Sequence, residues 1–168
     1  MTSTININGK VIGIKASADV LVIYKAQFGT DYVSDCLKLD EETADTESCV
    51  MTAFKLLWSM AKAYNAEILP PTEWAVSLGD FDLEEPIKKA QELYAECLSR
   101  YNTEEVERTG ESITAEKIIA YAALAGMSLK DLNTIPLPMA LETITTYIKT
   151  KYGSKEAREA TQEDFDNF

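Results

Sequence analysis

Residues 54–78 read FKLLWSMAKAYNAEILPPTEWAVSL, and this stretch decides the fold. Apolar side chains recur at helical spacing on a stripe that starts at Val50, so the first half predicts an amphipathic helix ending near Asn65. Pro70 and Pro71 then force a turn, because neither proline donates a backbone hydrogen bond and the second disfavours helical dihedrals at the first. The stretch therefore predicts a helix, a turn and a second, shorter helix.

Both tryptophans of the chain lie in this stretch, one on each predicted helix. Tryptophan is typical of a core, of a ligand pocket or of a partner interface. Trp58 lies on the apolar stripe of the first helix, which favours a core position. Trp74 lies on the short helix, which Thr72 is predicted to cap and Gly79 to end, and there a core position and a partner surface are equally compatible with the pattern.

A β-hairpin is predicted ahead of this stretch, over residues 4–15. Ile5 and Ile7 alternate with polar residues, and the Asn8-Gly9 pair that follows is the strongest short hairpin signal, because both residues tolerate a positive φ. Two strands alone are only marginally stable, so the hairpin is expected to pack on a helix.

Cap and stop signals predict further short helices. Ser17 is expected to cap a helix that Gly29 ends, with Val20, Leu21, Tyr24 and Phe28 on its apolar face, and another helix is expected after Asp31. The acidic stretch 40–47 is interpreted as a solvated loop leading into a first helical turn, since it lacks the glycine and the final glutamate of a calcium loop.

The second half of the chain is predicted to be helical as well. A helix from Ile87 carries its apolar residues on one face, and Pro86 is tolerated in its first turn. Three more elements are predicted towards the C-terminus: a helix with Ile118, Ile119, Ala122 and Ala125 buried and Gly126 as its stop, a turn capped by Ser128 and Asp131, and a last helix from Leu137 to Tyr152. The predicted fold is mainly α with a small N-terminal β-hairpin (α+β), as a compact bundle of short helices.

The polar stretch near residue 110 divides the chain into predicted units. Residues 1–102 form the hairpin and a helical domain, and residues 103–110 form a linker. Residues 111–153 form a C-terminal helical segment. Residues 154–168 form an acidic tail that is expected to be disordered unless a partner orders it.

Composition restricts the partners of the chain. Its 28 acidic and 16 basic side chains give a net charge of −12, which repels phosphate backbones and anionic lipids, so neither nucleic acid nor a membrane is expected to bind. The sequence contains neither a spanning apolar run nor a secretory signal pattern, which predicts a protein of the cytoplasm. Cys36, Cys49 and Cys97 are odd in number and widely spaced, which favours reduced thiols over disulfides or zinc ligands.

Catalytic motifs are missing from the sequence. It has no histidine, and its glycines form neither a Walker A loop nor a dinucleotide fingerprint. No catalytic residue, cofactor-binding residue or metal ligand is therefore predicted, and the chain is not expected to be an enzyme. The chain is instead expected to function by binding other proteins. The candidate partner-binding residues are apolar side chains near the proline turn and in the tail: Trp58, Trp74, Leu78, Phe81, Phe165 and Phe168.

The order of elements resembles the tail assembly chaperones of long-tailed (siphovirus-type) bacteriophages. The resemblance rests on ININGKVIGIK (5–15), AFKLLWSMAKAYN (53–65), EWAVSLGDFD (73–82), IKKAQELYAECL (87–98) and AYAALAGMSLKDLNTIPLPMALETI (120–144). It covers most of residues 4–152 and consists of patterns of residue type and spacing, without invariant catalytic residues.

The resemblance implies a function in host-cell cytoplasm. Such chaperones bind the tape-measure protein, keep it soluble, help to recruit tail-tube subunits and are absent from the mature virion. The tape-measure protein and the tail-tube protein are thus the implied partners, and a homo-oligomer is left open. The alternative is a structural tail-completion or head-tail connector subunit of the virion. An acidic inhibitor that mimics DNA is a third hypothesis, but it needs carboxylates along one face.

Overall fold

A computed structural model describes residues 1–39, 46–79, 84–99 and 114–152. These residues form a two-stranded antiparallel sheet and eight helices, which confirms the predicted class, mainly α with a small N-terminal hairpin. The elements are β1 Thr2–Ile7, β2 Lys10–Lys15, α1 Val20–Phe28, α2 Tyr32–Leu39, α3 Thr46–Tyr64, α4 Pro71–Leu78, α5 Glu84–Ser99, α6 Ala115–Leu124, α7 Leu129–Thr134 and α8 Leu137–Tyr152.

The predicted hairpin is confirmed and begins two residues earlier than expected. Asn8 and Gly9 form its turn with φ values of 49° and 77°, the positive values that this turn requires. The earlier start has a physical cause: Met1 and Ala16 exchange hydrogen bonds between their backbone N and O atoms, at 2.8 Å each way. The apolar face of the hairpin enters the core through Ile5, Ile7 and Ile14.

Helix α3 is the central element of the core. It packs against β2, α1, α2 and α5, and its middle is buried on most sides because these neighbours surround it. The buried α3 residues of the core are Ala53, Leu56, Leu57, Trp58, Met60, Ala61 and Ala63. The predicted apolar stripe is thus confirmed in its centre. At its two ends Val50 and Tyr64 are 42% and 53% exposed, because the packing partners do not cover the first and last turns.

Two predicted helix caps are wrong. Pro70, not Thr72, is the N-cap of α4, and the helix starts at Pro71, whose missing N–H would have had no partner in the first turn in any case. Asp19, not Ser17, is the N-cap of α1. Ser17 is 1% exposed, and its hydroxyl donates to Oδ1 of Asp19 at 2.7 Å.

The glycines that end helices and the capping box of α7 are found where the sequence predicts them. Gly29, Gly79 and Gly126 all have positive φ values at or just after helix ends. Ser128 and Asp131 form a reciprocal capping box at the start of α7, as predicted. In α6 the buried residues are Ala115, Ile118 and Ala122, whereas Ile119 is 41% exposed. The expectation that Ile119 is buried is therefore wrong, because α6 turns a narrower face to the core. Ala125 is only partly buried.

The C-terminal helices join the N-terminal half through polar contacts as well as apolar ones. The amide of Asn133 donates to Oδ2 of Asp19 at 2.7 Å and to the carbonyl of Ala63 at 3.0 Å, and its Oδ1 accepts from Lys15 at 2.7 Å. The buried N–H of Ala18 is satisfied by the carbonyls of α7 and the residue after it, Leu132 at 3.1 Å and Ile135 at 2.9 Å.

A second polar contact lies at the start of α6. Oδ1 of Asp31 accepts the backbone N–H of Ala115 at 3.0 Å, and its Oδ2 lies 2.9 Å from Nζ of Lys25. Partial burial by itself would raise the pKa of the Asp31 carboxyl, but these two partners outweigh it and lower the pKa. Residues 103–110 lie outside the described ranges, so the linker and the domain bounds stay predictions.

Replacement of Asn133 by alanine is expected to lower the free energy of unfolding by about 1–3 kcal/mol, because a carbonyl and a carboxylate lose their amide donor. Urea denaturation followed by tryptophan fluorescence measures this, since both tryptophans lie in the N-terminal half. Thr134→Ala is the matched control on the same helix, because the Thr134 hydroxyl bonds only the Lys130 carbonyl within α7. An Asn133 effect no larger than that of Thr134 would contradict the proposed anchoring.

Candidate functional site

The structure places three of the predicted partner-binding residues in the core. Trp58, Trp74 and Leu78 are 2%, 5% and 4% exposed. Phe81, Phe165 and Phe168 lie outside the described residues. The core interpretation of Trp58 is confirmed, and Trp74 is a core residue too. A role of these side chains in binding a partner stays a prediction.

The two indoles attach the proline turn and α4 to α3. Nε1 of Trp58 donates to the carbonyl of Leu69 at 3.0 Å, and its ring meets Phe28 edge to face with 5.7 Å between centroids. The ring of Trp74 lies 5.8 Å from that of Phe54 on α3. Each indole thus buries its apolar body, and Trp58 satisfies its polar atom as well.

An apolar groove lies between the N-terminal halves of α3 and α5. It encloses about 470 Å³. Its lining is Cys49, Val50, Ala53, Glu84, Ile87, Lys88 and Gln91. Val50 is 42% exposed, and the adjacent Met51 is 49% exposed. Large apolar side chains with this exposure beside a concave surface are typical of a site that receives another protein.

Local sequence signals build both walls of the groove. On α3, Val50 stands eight residues before Trp58, so the two lie on one stripe separated by about two turns. On α5, Glu84 and Glu85 occupy the first turn, where negative charge suits the helix dipole, and Pro86 is accommodated there as predicted. Ile87 then follows as the first apolar residue of the inward face. The groove does not include the predicted partner-binding residues Trp58 and Trp74, because it lies at the N-terminal end of α3.

A buried polar cluster centred on Asp35 was not anticipated from the sequence. Oδ2 of Asp35 accepts from the hydroxyls of Tyr24 at 2.8 Å and Thr30 at 2.7 Å, and it lies 3.5 Å from Nζ of Lys55. Burial, and then the hydrogen bond to Asp35, raise the pKa of the Tyr24 phenol. A helical wheel places Asp35 on α2 but cannot show that Tyr24, Thr30 and Lys55 turn donors towards it from three other segments.

This cluster has the features of a structural network. Throughout the ranges that the structure describes, every buried side-chain nitrogen and oxygen has a hydrogen-bond partner. In the same ranges, cysteine and carboxylate side chains do not gather in groups that could hold a metal ion. Saturated networks of this kind fix one arrangement of helices, here α1, α2 and α3.

The helices of the described ranges are each too short or too polar to cross a bilayer. Comparisons with protein-family models, with curated proteins and with solved structures found no match.

Proposed function

We propose that the protein is a phage tail assembly chaperone that binds and solubilises the tape-measure protein in the host cytoplasm. The apolar groove between α3 and α5 is the observation that carries the proposal. A chaperone of a long, aggregation-prone client needs an exposed apolar surface that covers apolar faces of the client. The groove supplies such a surface within the part of the chain that the structure describes, and the resemblance in the order of elements names the client.

The shape of the groove suits a helical client segment. Its walls are two packed helices, and a third amphipathic helix placed between them buries its apolar face against Val50 and Ile87. Anchors on that helix would recur at i, i+3 or i+4 and i+7, the spacing found in helix-in-groove complexes. A tape-measure protein, as a very long helical chain, offers many such faces.

The charge of the chain supports the same function. A net charge of −12 keeps a complex with an insoluble client in solution, and it speeds the encounter with basic client segments. The recruitment of tail-tube subunits is part of the proposal by resemblance. Groove binding accounts for the solubilising step, and tube recruitment needs a further contact.

Substitution of Val50 by glutamate is expected to weaken binding of the tape-measure protein about tenfold or more, because a carboxylate would be buried in the apolar groove. Co-expression of the two proteins, followed by the soluble fraction of the client and by calorimetry on a client fragment, measures the effect. Val76→Glu is the matched control, because Val76 is 76% exposed on α4 and does not line the groove. Equal binding by the two variants would exclude the groove as the client site.

These exposed positions give a clearer test than Trp74→Ala. Trp74 is 5% exposed, so its removal changes the fold as well as any contact. A separate measurement distinguishes the chaperone from a tail-completion or connector subunit. A chaperone is absent from purified particles, whereas a connector is present in each of them, so mass spectrometry of purified virions decides between the two.

A further inference from the structure

One edge of the hairpin carries backbone groups that are not paired with any of the residues that the structure describes. In an antiparallel pair, residues that exchange two hydrogen bonds alternate with residues whose N–H and C=O groups point away from the partner strand. Met1 and Ala16 exchange both bonds, and the register pairs Ser3 with Ile14 and Ile5 with Ile12. Thr2, Thr4 and Asn6 alternate with these paired residues. Their backbone N–H and C=O groups therefore point away from β2, along the outer edge of β1.

The described hydrogen bonds leave these edge groups to solvent. None of the bonds found in the described ranges uses the backbone of Thr2, Thr4 or Asn6, and all three residues are exposed. Natural edge strands are usually protected by a charged side chain, a proline or a bulge. β1, with the sequence TSTINI, has none of these and consists largely of residues that favour extended backbone.

The edge of β2 is less accessible. α3 packs against β2, and the ring of Tyr64 on α3 fills the space that a Cβ atom of Gly13 would need. Both ends of β2 carry lysines, and Lys10 donates to the carbonyl of Ser77 while Lys15 donates to Asn133. Within the described residues, β1 is thus the less covered edge of the sheet.

From this edge we propose that β1 binds an extended, basic peptide segment of another protein as a third strand of the sheet. An added strand lies about 4.8 Å from β1 and forms main-chain hydrogen bonds with Thr2, Thr4 and Asn6. α5 is the helix that packs against β1, so it is the helix nearest to the added strand. The exposed acids Glu85 and Glu92 of α5 and the net charge of −12 favour lysine or arginine in the peptide.

A second copy of the chain fits this edge less well. Pairing of two β1 strands about a two-fold axis would set the strands about 4.8 Å apart, whereas packed helices need about 8–10 Å between axes. α5 packs against β1, so a second copy would bring its own α5 close to the shared edge, where the two helices need this larger spacing. A lone peptide brings no such helix. This binding mode is independent of the α3/α5 groove, and it does not rest on the chaperone function.

The test uses a short peptide of alternating valine and threonine with a lysine at each end, titrated into the full chain. Two N-methylated forms of the peptide serve as matched probes. One form carries methyl groups on the backbone nitrogens of the odd-numbered residues, and the other carries them on those of the even-numbered residues. We expect the unmodified peptide to bind, and we expect only one of the two methylated forms to lose binding, because only one set of peptide N–H groups faces β1. The chemical-shift changes should centre on Thr2, Thr4 and Asn6, and a version with glutamates at its ends should bind more weakly.

A proline variant examines the same edge from the side of the protein. Thr4→Pro removes an N–H that the hairpin does not use, and proline is tolerated on edge strands, so the fold should persist while affinity falls about tenfold or more. Val11→Pro makes the equivalent change on β2 and should leave binding unchanged. Absence of peptide binding, equal binding of both N-methylated forms, or concentration-dependent self-association that Thr4→Pro abolishes would each overturn the proposal. The last result would assign the edge to a second copy.

Discussion

Replacement of Trp58 by alanine is expected to lower the free energy of unfolding by about 3–5 kcal/mol, the largest effect of any single change at the predicted partner-binding positions. The indole is 2% exposed at the centre of α3, and its loss leaves a cavity beside Phe28. The same change removes the donor of the Leu69 carbonyl, which ties the proline turn to α3. The loss of stability therefore has three sources: the lost burial of the indole, the cavity that it leaves, and the lost hydrogen bond.

Chemical denaturation followed by circular dichroism measures this effect. Trp58→Phe keeps most of the volume and loses the Nε1 donor, so it should cost clearly less than alanine and separate packing from hydrogen bonding. Val76→Ala is the surface control, at 76% exposure. A cost below about 1 kcal/mol for Trp58→Ala, the level of ordinary surface changes, would show that the indole is not a core residue in solution.

Removal of the Asp35 carboxylate is expected to cost nearly as much. Asp35→Ala should lower the free energy of unfolding by about 3–5 kcal/mol, because it leaves Lys55 without its partner charge and the buried Tyr24 hydroxyl without an acceptor. Asp35→Asn keeps the shape and one acceptor oxygen, so a smaller loss of about 1–3 kcal/mol is expected. Thermal and urea unfolding of both variants give the comparison.

A double-mutant cycle tests whether the cluster acts as a unit. Tyr24→Phe removes the hydroxyl that Asp35→Ala would leave unsatisfied, so the double variant should be more stable than the sum of the two single losses indicates. Additive losses would mean that the hydroxyl and the carboxylate do not depend on each other. Coupled losses are the expected result, because only 2.8 Å separates the two oxygen atoms.

Local signals in the sequence were sufficient for most of the elements. The Asn8-Gly9 turn, the stop at Gly29 and the capping box at Ser128 depend on residues only a few positions apart, and the structure has each of them. The two wrong caps show the limit of such signals. Ser17 and Thr72 are good capping residues, but the burial of Ser17 against Asp19 and the position of Pro71 decided where the helices begin.

The candidate site was harder to predict because it depends on which part of a stripe stays uncovered. Val50 and Trp58 belong to the same broad apolar stripe of α3, yet one is 42% exposed and the other 2%. The difference arises because the elements of the described ranges cover the middle of α3 more fully than its first turns. The exposed edge of β1 could not be predicted from the sequence either. Its prediction requires knowing which residues of the hairpin pair through hydrogen bonds and where α5 packs.

The bond from Ala18 to α7 has a consequence for synthesis on the ribosome. The partners of this buried N–H emerge more than 100 residues later, as the separation of 114 residues between Asp19 and Asn133 illustrates. A nascent chain can form the hairpin and α3 early, but the connection between β2 and α1 keeps an unsatisfied amide until α7 leaves the exit tunnel. The native state is therefore reached late in translation. A product terminated before α7 would leave exposed the surface against which the C-terminal helices pack.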